Sequence, residues 1–347
     1  MKREDYFQHP TRPLEMDKIH TVGDLVEAFG GTSFQSRALH KAMRVWGRAL
    51  EEKSCAIFLG LSGAMVPAGM RRVVVDLIRH KFVDAIVSTG ANLYHDLHEG
   101  TGGMHYMGHP HVDDEELARY DIDRVYDTYA DDNAFQKLDE TLAEFSLRKL
   151  EVRPYSTREF LYEVGREYRP KDSIVGACFE EGIPVFCPTF HDSGYGIAVS
   201  RAYGLAEKKG QPHLTIDLIR DNLEIAAFRQ AAQVSAAIYI GGGVPKNYTQ
   251  QIEPLIEVMT GKKVEGHTYA VQITTDAPHW GGLSGCTFEE AKSWDKMVDG
   301  FMAAQVFLEA TVGFSLLAKA VSERFAETAA RRTRATADFF RPAAESV

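Results

Sequence analysis

At 347 residues, with 44% hydrophobic and 25% charged residues, the chain is long enough for one large core and too apolar for wholesale disorder. Its net charge of −10, with no basic stripe, argues against a nucleic-acid partner, while an acidic surface could attract a cationic substrate. Four scattered cysteines without a CxxC pair argue against a disulfide framework or a structural zinc site, and no apolar run of about 18 residues is available to span a membrane.

Residues 1–17 are polar, carry Pro10 and Pro13, and lack the apolar stretch of a secretory signal. They read as an N-terminal arm, and the protein reads as cytoplasmic. Residues 18–330 read as a single catalytic domain, and residues 331–347 as a flexible tail. Within the domain, short apolar runs recur at Cys55–Leu59, Ala85–Ser88, Val185–Pro188, Ala236–Ile240, Tyr269–Thr274 and Ala303–Leu308. Nearly free of charge, they suit strands covered on both faces. Between them, Met70–His80 places Val73, Val74, Leu77 and Ile78 at helical spacing, and Leu218–Val234 also reads as a helix. Strands alternating with helices predict an α/β fold with a doubly wound parallel sheet, whose ligands sit at the carboxyl ends of the strands. The segment from Gly100 to Asn133 gives no clear element.

Glycines follow three of the apolar runs. Gly60, Gly63 and Gly69 lead into the Met70 helix, Thr89-Gly90 follows the second run, and Gly241-Gly242-Gly243 follows the fourth. Such loops let backbone approach a phosphate and present free N–H groups at a helix start. None has GxGxxG spacing, so each alone reads more readily as a simple turn; three at three strand ends favour a nucleotide site more than any one does.

The segments CAIFLGLSGAMVPAGMRRVVVDLIRHKFVDAIVSTGA, GIPVFCPTFHDSGYG, GGGVPKNY and EEAKSWDK, in this order, resemble the deoxyhypusine synthase family over roughly residues 35 to 325. The resemblance is strongest to the divergent deoxyhypusine synthase-like members, some of which act as homospermidine synthases. It implies a Rossmann-like NAD-binding fold of the deoxyhypusine synthase type and an NAD-dependent transferase. In the implied cycle, a polyamine donor, usually spermidine, is oxidised to an imine and diaminopropane leaves. The aminobutyl unit is held as a Schiff base on a lysine, then passes to an acceptor amine. That acceptor is a lysine of the hypusine-bearing translation factor in the family proper, and putrescine in homospermidine synthase. The resemblance also implies a homotetramer with active sites between paired subunits.

Carried onto this sequence, the resemblance makes Lys296 the imine-forming lysine, which must be unprotonated to attack. Outside the motif it would read as a surface lysine. Trp294 matches the tryptophan that lies against the polyamine, a role its face suits, and Glu290 matches a glutamate that binds a donor ammonium. Asp192 matches an aspartate near the nicotinamide. Thr89, Gly90, Gly242, Gly243 and Thr275 match cofactor-contacting positions, and Glu309 falls where an aspartate meets the adenosine ribose. Gly63-Ala64 stands where the family has Ser-Asn in its first cofactor loop.

Other positions depart. Asp295 replaces the glycine of Ser-Trp-Gly-Lys, and a carboxylate beside the amine would favour its charged form. Family polyamine-binding aspartates fall on Ile197 and Leu283, a catalytic histidine falls on Asn247, and a glutamate falls on His95. With Asn247 in the histidine's place, His95 becomes the candidate for proton transfer, and Asn247 a substrate-lining residue. His95, His98, His105, His109 and His111 fit no standard zinc spacing, so no metal is expected. The lost acidic anchors favour a small acceptor amine, as in homospermidine synthase. A protein-lysine acceptor is the alternative, and a non-catalytic NAD- or amine-binding protein a third reading. An NAD-dependent deacylase of related fold is disfavoured by the missing zinc module.

Overall fold

The computed structural model describes residues 2–262 and 265–334. Each apolar run marks a strand of one sheet: β1 (Cys55–Leu61), β2 (Ala85–Ser88), β3 (Val185–Phe186), β4 (Val234–Ile240), β5 (His267–Thr274) and β6 (Met297–Phe307). Their order is β6-β5-β4-β1-β2-β3, and every pairing is parallel. All seven residues of β1 are buried, as expected of a strand covered on both faces.

The covering helices explain the near-continuous apolar runs. On one face, Ile57, Leu59, Ile238 and Val271 pack with Trp46 of α1 (Phe34–Glu51), Leu77 of α2 (Arg71–Arg79) and Leu317 of α9 (Ala310–Arg331). On the other, Ala56, Phe58 and Val87 pack with Phe228 of α5 (Leu218–Gln230) and Ile256 of α7 (Ile252–Thr260). Further along that face, Ala237, Tyr239 and Ala270 meet Phe288 and Ala291 of α8 (Phe288–Lys292). The helix expected over Leu218–Val234 stops at Gln230, because β4 begins at Val234.

From β1 the chain steps outward to β2 and β3, while β4, β5 and β6 are added on the other side. The carboxyl ends of β1 and β4 therefore meet where the winding reverses, the usual ligand crevice of such sheets. Three more helices start at this end: α3 (Gly90–Gly100) after β2, α4 (Gly194–Lys208) after β3 and α6 (Gly243–Gln250) after β4. The segment without a clear reading forms a small antiparallel sheet of His105–Met107, Thr128–Asp131 and Ile122–Val125, plus a short helix, Asp114–Arg119.

The ends are tied to the body more than their composition suggests. Arg12 N–H donates to Gly31 O at 2.8 Å. Arg332 donates to the buried Asp84 carboxylate at 2.7 Å and to Cys55 O at 3.0 Å, and Arg334 pairs with Glu181 at 2.9 Å. So the start of the segment read as a tail is anchored; residues 335–347, the rest of it, lie outside the described residues. Among the described residues, no helix is long and apolar enough to cross a membrane.

Candidate active site

Two regions hold most of the residues singled out by the sequence. The first is a cavity of about 700 Å³ on the face covered by α5, α6 and α7. Lys296, Trp294, Glu290 and Asn247 all line it, with Cys286 and Leu283, and with Ile225, Ile252 and Leu255 as apolar wall. Lys296 stands at the turn between α8 and β6, held by its N–H to Ala291 O and by its carbonyl accepting from His267 N at 3.0 Å. Its ammonium lies 5.6 Å from the centre of the Trp294 ring, within cation–π reach. Burial lowers the Lys296 pKa below the usual lysine value, opposed by Cys286 and Glu290. That direction favours the neutral amine that nucleophilic attack needs.

Asp295 has a structural reason to differ from most residues. Its backbone is left-handed (φ 56°), a conformation glycine takes freely and Asp tolerates better than most. Cys286 and Glu290 both favour the charged form of the Lys296 amine. Leu283 lines the cavity, whereas Ile197 is exposed on α4 and does not. Among the described residues, Glu290 is the sole carboxylate lining the cavity.

The second region is the crevice at the strand ends. Ser62 N–H donates to Ile240 O at 3.0 Å, and its hydroxyl donates to Gly242 O, so the loops after β1 and β4 are joined. Gly63 (φ 69°) and Gly243 (φ 55°) need the left-handed region, and neither would find a protein atom closer than 3.8 Å to an added Cβ. These two leave open backbone for a ligand. Gly90 and Gly242 serve packing as well: an added Cβ would lie 2.5 Å from Ser193 Oγ and 2.5 Å from Ser284 Cα, respectively. Thr89 immediately precedes α3 without a side-chain capping bond, and Gly90 N–H donates to Thr189 Oγ1 at 3.3 Å, joining this loop to the one carrying the exposed Asp192. Thr275 is exposed just past β5.

Glu309 is first a helix cap. Its carboxylate accepts from Thr311 N–H at 3.0 Å and Val312 N–H at 3.1 Å, which holds its pKa below the usual glutamate value against partial burial. It still borders a cleft of about 1010 Å³ with Ala64, Met65, Gly69 and His105.

His95 stands apart from the Lys296 cavity. Its Nδ1 is 2.9 Å from His105 Nε2; His105 Nδ1 is 2.7 Å from Glu99 Oε1, and Arg71 closes the chain at 2.7 Å from Glu99 Oε2. With Glu99 accepting from His105 Nδ1, a neutral His105 presents Nε2 as acceptor. His95 then donates from Nδ1 and keeps its lone pair on Nε2. Burial, then His105 and His98, push His95 down to about 4. Among the described residues, no three His, Cys, Asp or Glu side chains are placed to hold a metal ion.

Sequence reasoning missed Lys246 and Gln272. Lys246, in α6, is 1% exposed and donates to Gln272 Oε1 at 2.8 Å and to Cys286 O at 2.6 Å. Gln272, fully buried in β5, donates in turn to Gly241 O at 3.0 Å and Ser284 O at 2.7 Å. The available signal was a glutamine inside an apolar strand, which is seldom buried without a purpose.

These features define an α/β protein with a lysine-bearing cavity on one sheet face and a glycine-lined crevice at the strand ends. The deoxyhypusine synthase family profile matches residues 24–321. The chain is 40% identical over 328 residues to "Probable deoxyhypusine synthase 2" of Methanosarcina acetivorans, covering 93% of each. It is 45% identical over 289 residues to the protein of that name from Archaeoglobus fulgidus, covering 83% of this chain and 93% of the relative. It is 38% identical over 326 residues to "Deoxyhypusine synthase-like protein" of Chlorobaculum parvum, covering 92% of this chain and 91% of the relative. The crystal structure of a candidate deoxyhypusine synthase from Entamoeba histolytica shares the fold, with TM-score 0.60 at 21% identity over 93% of this chain and 99% of that one. The chain belongs to the deoxyhypusine synthase family, a family of transferases that move an aminobutyl group.

Proposed function

We propose that this protein is an NAD-dependent transferase that takes an aminobutyl group from spermidine or a related amine, holds it as an imine on Lys296, and delivers it to a small acceptor amine. The observation that carries this reading is the half-buried Lys296 amine, lowered in pKa, beside the Trp294 ring and the Glu290 carboxylate in one cavity.

The crevice residues fit a dinucleotide: Gly63 and Gly243 offer open backbone, the starts of α3 and α6 offer N–H groups, and Asp192, Thr275 and Glu309 border the same end of the sheet. When bound there, NAD would supply the acceptor, and later the source, of the hydride. The protein's own residues do the rest. Lys296 Nζ attacks the imine carbon of the oxidised donor, and the C–N bond to diaminopropane breaks, leaving the aminobutyl carbon doubly bonded to Lys296. The acceptor amine then displaces Lys296 by the same exchange. Trp294 lies along the alkylammonium chain and Glu290 accepts from its terminal ammonium. His95, with its lone pair on Nε2, is the proposed proton carrier at the cofactor end.

With Asn247 and Leu283 in its wall, the cavity has one carboxylate among the described residues, which suits a small amine of low charge, since each buried ammonium needs an acceptor. A second reading, transfer to a protein lysine, is favoured by relatives named probable deoxyhypusine synthases. The Lys296 cavity and the crevice have separate linings within one chain, which supports the homotetramer reading, with a second copy bringing cofactor and amine together.

The test is incubation with NAD and spermidine, with and without putrescine, beside Lys296→Ala, followed by mass spectrometry. Homospermidine and diaminopropane, both lost in the variant, are expected. Diaminopropane released only when a protein acceptor is added would move the reading to the second acceptor. No product from any amine would overturn the proposed activity.

A further inference from the structure

His95 alone would hold a proton poorly, because burial first, and then His105 and His98, push it down to about 4. Behind it stands a continuous row of side chains. His95 Nδ1 is 2.9 Å from His105 Nε2, His105 Nδ1 is 2.7 Å from Glu99 Oε1, and Glu99 Oε2 is 2.7 Å from Arg71 Nε. The Phe135 ring packs against this row, 5.3 Å from the His95 ring and 4.6 Å from that of His98. Only 5% of the His105 side chain is exposed, so its Nδ1 has Glu99 rather than bulk water as partner. Glu99 and His105 also line the cleft that Glu309 borders, so the row ends at the crevice.

We infer that His95 and His105 form a two-histidine proton relay: His95 accepts a proton at Nε2 and passes its own Nδ1 proton to His105 Nε2, so that the charge comes to rest beside Glu99. His105, Glu99 and Arg71 act through His95 and are positioning residues. The purpose assigned to the relay rests on the amine oxidation proposed above; its existence does not.

When a donor amine becomes an imine, its nitrogen gives up a proton. That proton bonds to His95 Nε2, the His95 Nδ1–H bond breaks, and an N–H bond forms at His105 Nε2. His95 ends neutral in its other tautomer, and His105 ends as an imidazolium against a carboxylate, so the titration belongs to the pair. The reverse transfer returns the proton when the product imine is reduced. Neither ring has to move, since 2.9 Å is an ordinary hydrogen-bond distance. Burial raises the Glu99 pKa, but the bond from His105 and the Arg71 cation outweigh it and hold Glu99 below the usual glutamate value. The carboxylate is therefore ionised when the cation forms. A neutral acceptor would orient His105 as well; a carboxylate also stabilises its charge. The other titratable groups around the pair are His98, on the same helix as His95, and Asp131, which acts on His98 from the start of the helix Asp132–Arg148 that carries Phe135.

The experiment is hydrogen–deuterium exchange at the histidine C2–H of the full chain, read by mass spectrometry from about pH 4 to about pH 9, which follows the charge on each ring separately. It needs neither NAD nor amine, so it tests the relay even if the proposed reaction is wrong. In the wild type, the imidazolium of the pair is expected on His105 while His95 stays neutral. Charge on His95 first, or on both rings together, overturns the relay. Glu99→Gln keeps an acceptor for His105 Nδ1 but removes the negative charge, and should make the pair bind its proton about tenfold more weakly. Arg71→Gln removes the cation that competes for Glu99, and should shift the titration of the pair the opposite way. Thermal melts select the variants that fold, and the wild-type measurement decides if neither does. No shift in folded Glu99→Gln overturns the relay. Shifts of the same sign in both variants also overturn it, because lost packing rather than charge would then be responsible. In turnover with NAD and spermidine, the acid limb of the pH profile should move down by about one unit in Glu99→Gln, and a limb that stays in place overturns the part assigned to the relay in the reaction.

Discussion

Replacing Gln272 with Leu removes the side chain that joins the lysine cavity to the glycine crevice. The substitution is close to isosteric at a fully buried position, so its cost falls mainly on hydrogen bonds. Lys246 loses one of its two acceptors, and a bond to a charged group contributes about 2 kcal/mol. The carbonyls of Gly241 and Ser284 lose the donors they meet at 3.0 and 2.7 Å, at about 1 kcal/mol each. The bond that Gln305 donates to Gln272 Oε1 at 3.1 Å is lost as well, at about 1 kcal/mol, and the added apolar burial of Leu returns about 1 kcal/mol, leaving a net loss of about 4 kcal/mol. Urea denaturation followed by circular dichroism should show a lower midpoint with an unchanged slope. Gln305→Leu, which removes the single bond to Gln272 Oε1 at 3.1 Å, should cost about 1 kcal/mol. A Gln272→Leu loss below about 1 kcal/mol would refute the role of this side chain as the link.

Gly90→Ala should destabilise by about 2 kcal/mol and weaken NAD binding, read by calorimetry, because its Cβ meets Ser193 and the Thr189 carbonyl; Gly243→Ala should cost only the roughly 1 kcal/mol of a left-handed residue. Asp84→Ala leaves the buried Arg332 guanidinium without its carboxylate and should cost about 3 to 5 kcal/mol in urea, as should ending the chain at Arg331. His95→Gln should lower turnover with little change in NAD affinity. It should also flatten the acid limb of stability. The unfolded histidine gains a proton near its ordinary value of 6.5, while the folded one resists until about 4, so stability is full above 6.5 and is lost as pH falls through about 4. Buried Asp96, raised to about 7, and Asp221, raised to about 6, work in the opposite direction and cancel when variant and wild type are compared.

The strands of the main sheet were legible because burial on both faces leaves a chain signal of short charge-free runs, fully realised in β1. The Lys296 cavity was legible because Trp294, Glu290 and Lys296 belong to one short segment, with Asn247 brought in from α6. Other features depend on geometry that spacing does not encode. The glycines at 90 and 242 look alike in sequence to those at 63 and 243, yet the first two are also packed against serines. Glu309 reads as a ligand carboxylate until its own helix is seen to use both oxygens. Lys246 carries no local mark of burial, because the residues that hold it, Gln272 and Cys286, lie 26 and 40 positions away. The relay from Arg71 through Glu99 and His105 to His95 forms only when the small sheet brings His105 back over α3.

The central claim is that Lys296 carries the aminobutyl group. Incubating the protein with NAD and spermidine, quenching with borohydride and mapping the modified peptide by mass spectrometry tests it directly. The expected result is a reduced aminobutyl adduct on Lys296 that is absent without NAD and absent in Lys296→Ala. Spermidine-dependent reduction of NAD with no adduct on Lys296, or with the adduct on another lysine, would contradict it.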